Sequence, residues 1–285
     1  MPEVVVLGVA QDGGVPHAGC LCLNCRAARS DPGRHHLPVS LGLVSGDRFA
    51  MVDATSGFEA QHAMLWNHSS AACEWEAERF PAPESIVLTH AHTGHYTGLW
   101  QLDRSVLAAS GTRVLGPPRT MQLLLDNEPW QAMQREGFIA MEQVGFNRPF
   151  ELMPKIRMEL LEVPHRSEWG TDTAALTLAG PQRKMLYLPD IDFWDAWDRD
   201  VLATVREYDI ALLDGCFWVA PPRKGVPHPP VTETMDRLQE IAGDVEIVFT
   251  HFNHSNPVLT QGSPERSTVE ERGFRIAREG DVFSI

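Results

Sequence analysis

The sequence predicts an α/β protein with a largely mixed sheet, and three observations lead to that prediction. Short runs rich in Val, Ile and Leu end in Gly, Pro, Asp or His, which is typical of strands bounded by turns. Longer stretches with apolar residues at helical spacing lie between several of these runs. This alternation continues along all 285 residues and is typical of layered α/β domains. Because no linker or low-complexity segment divides the chain, we expect one domain over residues 1–285.

The predicted strands are short apolar runs, and turn residues connect some of them as hairpins. In chain order the strands are Val4–Val9, Ser40–Val44, Phe49–Val52, Ser85–Thr89, Arg113–Gly116, Met158–Val163, Ala174–Ala179, Lys184–Leu188, Ile210–Leu213, Glu246–Thr250, Phe274–Ala277 and Val282–Ile285. Hairpin turns are predicted at Ser45-Gly46-Asp47, Gly180-Pro181 and Glu279-Gly280-Asp281.

The predicted helices fill the intervals between strands. They are Ser56–Trp66, Gly98–Ala109, Pro118–Asn127, Phe193–Glu207 and Val231–Ala242. Pro118 suits a helix start, because proline fixes φ and the first turn leaves its N–H groups unpaired in any case. In the last helix Met235, Leu238 and Ile241 share one face.

Charge and hydropathy exclude several classes of partner. The chain has 24 Lys and Arg residues against 38 Asp and Glu residues, which gives a net charge of −14. Nucleic-acid binding without sequence preference, and docking to anionic lipid, both require a basic face. No apolar run approaches the roughly 18–20 residues that a membrane span needs. We therefore expect a cytoplasmic protein with a small-molecule substrate and with neither nucleic acid nor membrane as a partner; a homodimer is compatible with the sequence.

Three histidines follow the predicted strand Ser85–Thr89. His90, His92 and His95 form an H-x-H-x-x-H pattern. Side chains two residues apart on a strand share a face, so His90 and His92 can bind one ion together. His95 lies beyond the turn and can approach from another side. Neutral imidazole binds Zn, Fe, Ni and Cu, so this pattern predicts a metal site.

The segment Leu88-Thr-His-Ala-His-Thr-Gly-His95 resembles the H-x-H-x-D-H signature of the metallo-β-lactamase superfamily. The resemblance implies an αββα four-layer sandwich with two mixed sheets and a metal centre at one edge. It also implies that further ligands follow in a fixed order, each at the end of an apolar run: His165, Asp190 and His251. Asp53 matches an earlier aspartate that supports the centre without binding the ion.

One position departs from the signature, because Gly94 stands where the superfamily has an aspartate that helps to hold a second metal ion. The resemblance leaves a first set of ligands, His90, His92 and His165, and a second set, His95, Asp190 and His251. Either the centre binds one ion, or Asp192 or His254 replaces the missing carboxylate. We expect the second set to bind less tightly than the first, and Gly94→Asp to raise the metal content.

A second metal-binding pattern has C-x-C-x-x-C spacing and consists of Cys20, Cys22 and Cys25. Three thiolates this close can bind one Zn²⁺, and structural zinc takes a fourth ligand. The predicted fourth ligand is His228. The pattern resembles that of a subgroup of the superfamily, which includes the pyrroloquinoline quinone biosynthesis B family and the cyclic phosphodiesterases of the carbon–phosphorus lyase pathway. In that subgroup three cysteines and a histidine before a late helix hold structural zinc.

These patterns together predict a metal-dependent hydrolase. A bound metal ion lowers the pKa of its water to about 7 and so presents hydroxide at neutral pH. We expect Asp190 to orient or deprotonate that water, and His254 or His165 to stabilise charge or protonate a leaving group. Arg166 is a candidate contact for an anionic substrate. Zn²⁺ is the favoured active-site ion, with iron and manganese as alternatives.

Two other functions stay open. The Gly-rich opening Leu7–Pro16 and the segment Thr250–Pro257 resemble the quinone-biosynthesis family, which is linked to hydroxylation of a tyrosine-derived precursor. An iron-dependent oxygenase on the same scaffold is therefore one alternative. The other is a metal-containing carrier that binds a small cofactor without turnover, because the missing aspartate weakens the centre.

Overall fold

The computed structural model describes residues 1–69, 79–167, 169–221 and 225–285, and its strands form two sheets. The first sheet contains β1 (Glu3–Gly8), β2 (Ser40–Ser45), β3 (Arg48–Val52), β4 (Ser85–Val87), β5 (Thr112–Gly116), β6 (Ile139–Gln143) and β14 (Val282–Ser284). Its strand order is β14-β1-β2-β3-β4-β5-β6. Pairing is parallel from β3 to β6 and antiparallel from β14 to β3, so the sheet is mixed.

The second sheet is also mixed. It contains β7 (Phe150–Met153), β8 (Ile156–Glu162), β9 (Ala174–Ala179), β10 (Lys184–Leu188), β11 (Ile210–Asp214), β12 (Glu246–Thr250) and β13 (Arg275–Ile276). Its strand order is β13-β12-β11-β10-β9-β8-β7. Strands β10 to β13 pair in parallel, whereas β7 to β10 pair antiparallel.

The described residues also form eight α-helices. They are α1 (Leu23–Ser30), α2 (Phe58–His68), α3 (Thr93–Tyr96), α4 (Pro118–Leu125), α5 (Glu128–Arg135), α6 (Val201–Val205), α7 (Val231–Leu238) and α8 (Pro264–Glu271). The side chains of β1 alternate, as a strand buried on both faces requires. Val4 and Val6 face the core between the sheets, whereas Val5 and Leu7 join the cluster under α2 and α4. The expected αββα sandwich with two mixed sheets is confirmed.

The ends of the parallel strands determine where functional side chains gather. In the first sheet, β3 and β4 pair in parallel at Val52 and Val87, so the segments that follow both strands leave the sheet at the same edge. In the second sheet, β10, β11 and β12 also end side by side. Because the two sheets pack face to face, loops from these carboxyl ends meet at one edge of the sandwich.

Three local predictions were wrong. Residues 98–109 contain most of a 3₁₀ helix, Thr97–Leu102, and then turns. The helix stops there because Asp103 adopts an extended conformation, and its side chain accepts a hydrogen bond from Ser105 N. Residues 193–207 contain a 3₁₀ helix and the short α6, which Asp200 begins by capping Ala203 N. The turn at residues 279–281 connects β13 to β14 in the other sheet, so it is not a hairpin.

Four helices and two strands of the described residues were not predicted: α1, α3, α5, α8, β6 and β7. Their segments are short and polar or mixed in composition, so they offer few apolar residues on which a prediction could rest. None of the described helices is both long and apolar enough to cross a membrane.

Candidate metal centre

A cavity of about 290 Å³ opens at the edge where the strand ends meet. Its walls come from the loops after β1, β4, β8 and β10 and from the segment before α7. The lining residues are Gln11, Asp12, His92, Thr93, His165, Arg166, Trp169, Asp190, Pro227 and His228. Most of them are polar or ionisable, as expected of a site for chemistry rather than for packing.

Four predicted ligands converge at the base of this cavity and form the first group, which consists of His90, His92, His165 and Asp190. One donor atom from each lies within 4.8 Å of all the others. His165 Nε2 is 3.3 Å from His92 Nδ1 and 3.6 Å from Asp190 Oδ1. Two residues apart at the end of β4, His90 and His92 project into the same space. The structure thus brings together the side chains predicted for the first ion.

A second group lies beside the first and contains a residue that the sequence did not suggest. Donor atoms of Asp12, His95 and His251 lie within 4.8 Å of one another. Asp190 contacts both groups: its Oδ1 is 3.3 Å from His251 Nε2, and its Oδ2 is 3.7 Å from His95 Nε2. Asp190 therefore occupies the position between the groups that a carboxylate bridging two ions would need.

Hydrogen bonds orient the histidines of the centre. Asp53, after β3, is fully buried and accepts from Thr89 N at 2.8 Å and from Thr89 Oγ1. Its Oδ2 lies 2.8 Å from His95 Nδ1, which leaves Nε2 of that ring pointing at Asp12 and Asp190. Partners of this kind fix the tautomer and the direction of a metal-binding imidazole. The supporting role expected of Asp53 therefore has a geometric basis in the structure.

His165 and His228 have carboxylate partners of their own. Asp192 Oδ1 is 3.0 Å from His165 Nδ1 and also accepts from Arg166 N. His228 Nδ1 lies 2.6 Å from Oδ2 of Asp214, at the end of β11. Asp192 thus acts on the far side of the His165 ring, and not as a substitute for the signature aspartate.

Backbone conformation and charge also distinguish this edge. Asp53, His228 and His251 all have positive φ, at 62°, 79° and 59°. Positive φ is uncommon outside glycine, and such strain accumulates at functional sites. Burial, reinforced by neighbouring histidines, lowers the pKa of His90 and His251 well below the usual range, so both are neutral and fit to bind metal.

The carboxylates give the centre a negative potential. Burial alone would lower the pKa of His95, but the charges of Asp53, Asp12 and Asp190 raise it well above the usual range. Burial raises the pKa of Asp190 to about 6 against the opposing effect of nearby histidines. A cation at this position would neutralise the excess charge that His95 would otherwise have to balance by binding a proton.

The donor set fits one or two metal ions. Several buried donor atoms have no hydrogen-bond partner within the described part of the chain: His90 Nε2, His95 Nε2, Asp190 Oδ2 and both ring nitrogens of His251. Buried polar atoms are almost always hydrogen-bonded, and leaving one unpaired costs roughly 1–3 kcal/mol. Three of these atoms lie close together, because His95 Nε2 and His251 Nε2 are both within 3.7 Å of an Asp190 carboxylate oxygen. A shared ligand explains such a group best, and imidazole with carboxylate suits Zn, Fe or Mn.

The cysteine cluster has a different fourth member from the one predicted. Donor atoms of Cys20, Cys22, Cys25 and His254 lie within 4.8 Å of one another. His254 Nδ1 is 3.4 Å from Cys20 Sγ and 3.5 Å from Cys22 Sγ. Burial raises the pKa of Cys25 to about 11, so only a bound cation would keep that thiol ionised at neutral pH. Three thiolates and one imidazole fit tetrahedral zinc.

This geometry corrects two predictions. His228 does not belong to the cysteine cluster, because it lines the cavity and its ring lies 5.4 Å from those of His165 and His251. His254 does not reach the cavity, so neither the predicted catalytic role nor substitution for the signature aspartate fits its position. The physical reason is a sharp turn after β12, which sends His251 to one site and His254, three residues later, to the other.

Sequence reasoning missed Asp12 and Asp214. Asp214 ends the apolar run of β11, the same signal that identified Asp190, and could have been found in that way. Asp12 lies in a Gly-rich loop whose path cannot be inferred from residue spacing. The only signal for Asp12 was its position shortly after the end of β1.

Known proteins share this architecture over nearly the whole chain. Coenzyme PQQ synthesis protein B of Methylobacterium radiotolerans is 28% identical, over 99% of this chain and 100% of its own length. The crystal structure of Zn²⁺-bound PqqB from Methylobacterium extorquens has a TM-score of 0.82 at 24% identity and covers 99% of this chain and 100% of its own. A diphosphatase of the PhnP family has a TM-score of 0.71 at 19% identity, with 99% and 96% covered. The beta-lactamase superfamily domain model matches residues 48–252, and the chain therefore belongs to that superfamily.

Proposed function

We propose that the chain is a metal-dependent hydrolase of a small molecule, similar to coenzyme PQQ synthesis protein B. The observation that carries the proposal is the convergence of unpartnered buried donors on Asp190 at the base of an open cavity. Zn²⁺ is the proposed ion, and a second Zn²⁺ is proposed for the cysteine cluster as a structural ion. An ion at the centre would supply the Lewis acidity that activates water at neutral pH.

The residues of the cavity would do the rest of the chemistry. Asp190, in contact with both histidine groups, can accept a hydrogen bond from water and hold it in line with a substrate. His228 can supply the proton that a leaving group needs, because the charge of Asp214 outweighs burial and raises the pKa of His228 to about 9. With Nδ1 bonded to Asp214, its Nε2 is the nitrogen that would donate.

The residues at the mouth of the cavity suggest which chemical groups the substrate contains. Arg166 lines it together with Trp169, whose side chain is 59% exposed. A guanidinium beside an indole favours a small molecule that combines an anionic group with a planar face. The net charge of −14 argues against a long polyanion.

The experiment is turnover of small phosphodiester, diphosphate and carboxylate-ester probes by zinc-loaded protein. His92→Ala should abolish turnover, and His228→Ala should reduce it most for probes with poor leaving groups. His35→Ala is the matched control, because this exposed histidine lies away from the cavity and should have no effect. Zinc-loaded protein that hydrolyses none of the three probe classes would contradict the proposal.

An iron-dependent oxygenase of quinone-cofactor biosynthesis is the second candidate. It is favoured by the similarity to coenzyme PQQ synthesis protein B over the full length. The same protein loaded with Fe²⁺ under air, with a tyrosine-derived substrate and ascorbate as the reductant, would then consume O₂ in step with hydroxylated product, the second oxygen atom being released as water. O₂ consumption that requires His92 while hydrolysis is absent would favour this candidate over the first.

A further inference from the structure

We propose that Asp12 replaces the carboxylate that the metal-binding signature lacks at Gly94, and that it binds a second active-site metal ion together with His95, His251 and Asp190. This inference rests on the proposed metal centre but is not implied by it. A centre with a single ion in the first group would perform the same hydrolysis without any contribution from Asp12.

The contacts place Asp12 where a ligand of the second ion is needed. Its Oδ1 lies 3.4 Å from His95 Nε2, and Asp190 Oδ2 lies 3.7 Å from the same nitrogen. His95 is 1% exposed, and Nε2 has no hydrogen-bond partner within the described residues. Two carboxylate oxygens and a buried imidazole nitrogen therefore surround one point, and a shared cation satisfies all three donors.

Gly94 and Asp12 fit together in space. A Cβ added at Gly94 would lie 2.5 Å from Asp12 Oδ1 and 2.6 Å from Asp12 Cα. Both distances are far below van der Waals contact, so the loop that carries Asp12 occupies the space that a side chain at position 94 would need. An aspartate at 94 and the present position of Asp12 exclude each other. This overturns the expectation that Gly94→Asp simply adds a ligand.

The loop that carries Asp12 is held against the segment that carries His251. Gln11 N donates to Phe252 O at 2.8 Å, and Asn253 Nδ2 donates to Gln11 Oε1 at 2.7 Å. These bonds bring the residue after Gln11 next to the second group. With 41% of its side chain exposed, Asp12 also borders the solvent, from which an ion would enter.

The ligand chemistry of this group indicates a borderline to hard divalent cation. Two carboxylates and two imidazoles suit Zn²⁺, Mn²⁺ or Fe²⁺, and the group contains no thiolate that would select a softer ion. The competing explanation is that Asp12 only forms an ion pair with a protonated His95. These explanations differ in metal stoichiometry, because an ion pair needs no metal.

The test is the zinc content of wild type, Asp12→Ala, Asp12→Asn and His92→Ala, measured by elemental analysis after equilibrium dialysis at a series of free Zn²⁺ concentrations. Asp12→Ala should lose one zinc per chain at concentrations that fill the wild type. Loss of an outer partner of a ligand costs roughly 10–100-fold in affinity, so loss of the ligand itself should cost at least that much. Asp12→Asn keeps the shape of the side chain and should weaken the binding of the same zinc ion.

Controls separate this inference from the proposed function. Asp47→Ala, at an exposed turn between β2 and β3, should keep the wild-type zinc content. If His92→Ala loses zinc while Asp12→Ala and Asp12→Asn bind as wild type does, Asp12 is no ligand, although the metal centre stands. If wild type holds no zinc that depends on His92 or on Asp12, both the inference and the metal centre are wrong. Thermal unfolding of each variant shows whether it is folded.

Discussion

Asp190 is the carboxylate that lies between the two groups of histidines. It contacts His165, His251 and His95 with two oxygens, and it is 2% exposed. No other carboxylate of the described residues contacts both groups at these distances. The sequence identified Asp190 and its histidine partners because each follows a strand end in a known order. It did not identify Asp12, and it exchanged His228 with His254, because loop paths decide which side chain reaches which site.

The protonation of Asp190 should govern metal retention. Burial raises its pKa to about 6 in the metal-free protein. Below that pH the carboxyl group holds a proton, and the proton competes with the ion; above it, the carboxylate is free to bind. Zinc affinity should therefore fall as the pH drops through about 6, and Asp190→Asn should bind active-site zinc weakly at every pH. Calorimetric titration between acidic and neutral pH measures this, and a flat profile in wild type would refute the assignment.

Asp53 should affect metal binding without touching the ion. Asp53→Asn keeps the size of the side chain but replaces the acceptor that faces His95 Nδ1 and Thr89. The change should lower the zinc affinity of the second group by roughly 10–100-fold, as the loss of a ligand's hydrogen-bond partner usually does. Dialysis against buffered Zn²⁺ gives the affinity. Asp31→Asn, on an exposed loop, is the control, and equal affinities in both variants would show that Asp53 has no such role.

Two loops each contribute residues both to the cavity and to the cysteine cluster. The loop between β1 and α1 carries Asp12 to the cavity and Cys20 to the cysteine cluster, and the segment after β12 does the same with His251 and His254. The ring of His17 lies tilted against that of His254, with 4.6 Å between the centroids. All the strands except β6 and β7 were predictable from apolar runs and turn residues. The sequence did not predict which residues of each loop reach which site, because this depends on local backbone conformation such as the positive φ of His251.

The corrected cysteine cluster predicts opposite outcomes for two histidines. His254→Ala should lose one tightly held zinc per chain and lower the melting temperature, as Cys22→Ser should, because structural zinc contributes directly to folding. His228→Ala should keep that zinc, since His228 lies at the cavity. Elemental analysis with thermal unfolding distinguishes them. A loss of the cluster's zinc in His228→Ala, with retention in His254→Ala, would restore the original prediction.

At the scale of the whole molecule, the sandwich explains why residues far apart in sequence form one centre. One continuous core contains residues of both sheets, with Val4 and Leu41 in the first sheet and Tyr187 and Val248 in the second. We propose from this shared core that residues 1–285 fold as one domain. The alternation of strands and helices predicted the fold class, and the histidine signature predicted its layers. The position of the cavity could not be predicted in this way, because it depends on how one sheet packs on the other.

The edge of the sandwich where the histidines meet should bind metal ions. Crystals of zinc-loaded protein, with anomalous diffraction recorded on both sides of the zinc absorption edge, would locate those ions. We predict anomalous peaks within bonding distance of His90, His92 and His165, of Asp12, His95 and His251, and of the cysteine cluster, with Asp190 between the first two. A peak at the cysteine cluster alone, with none in the cavity at saturating zinc, would show that the two histidine groups do not bind metal.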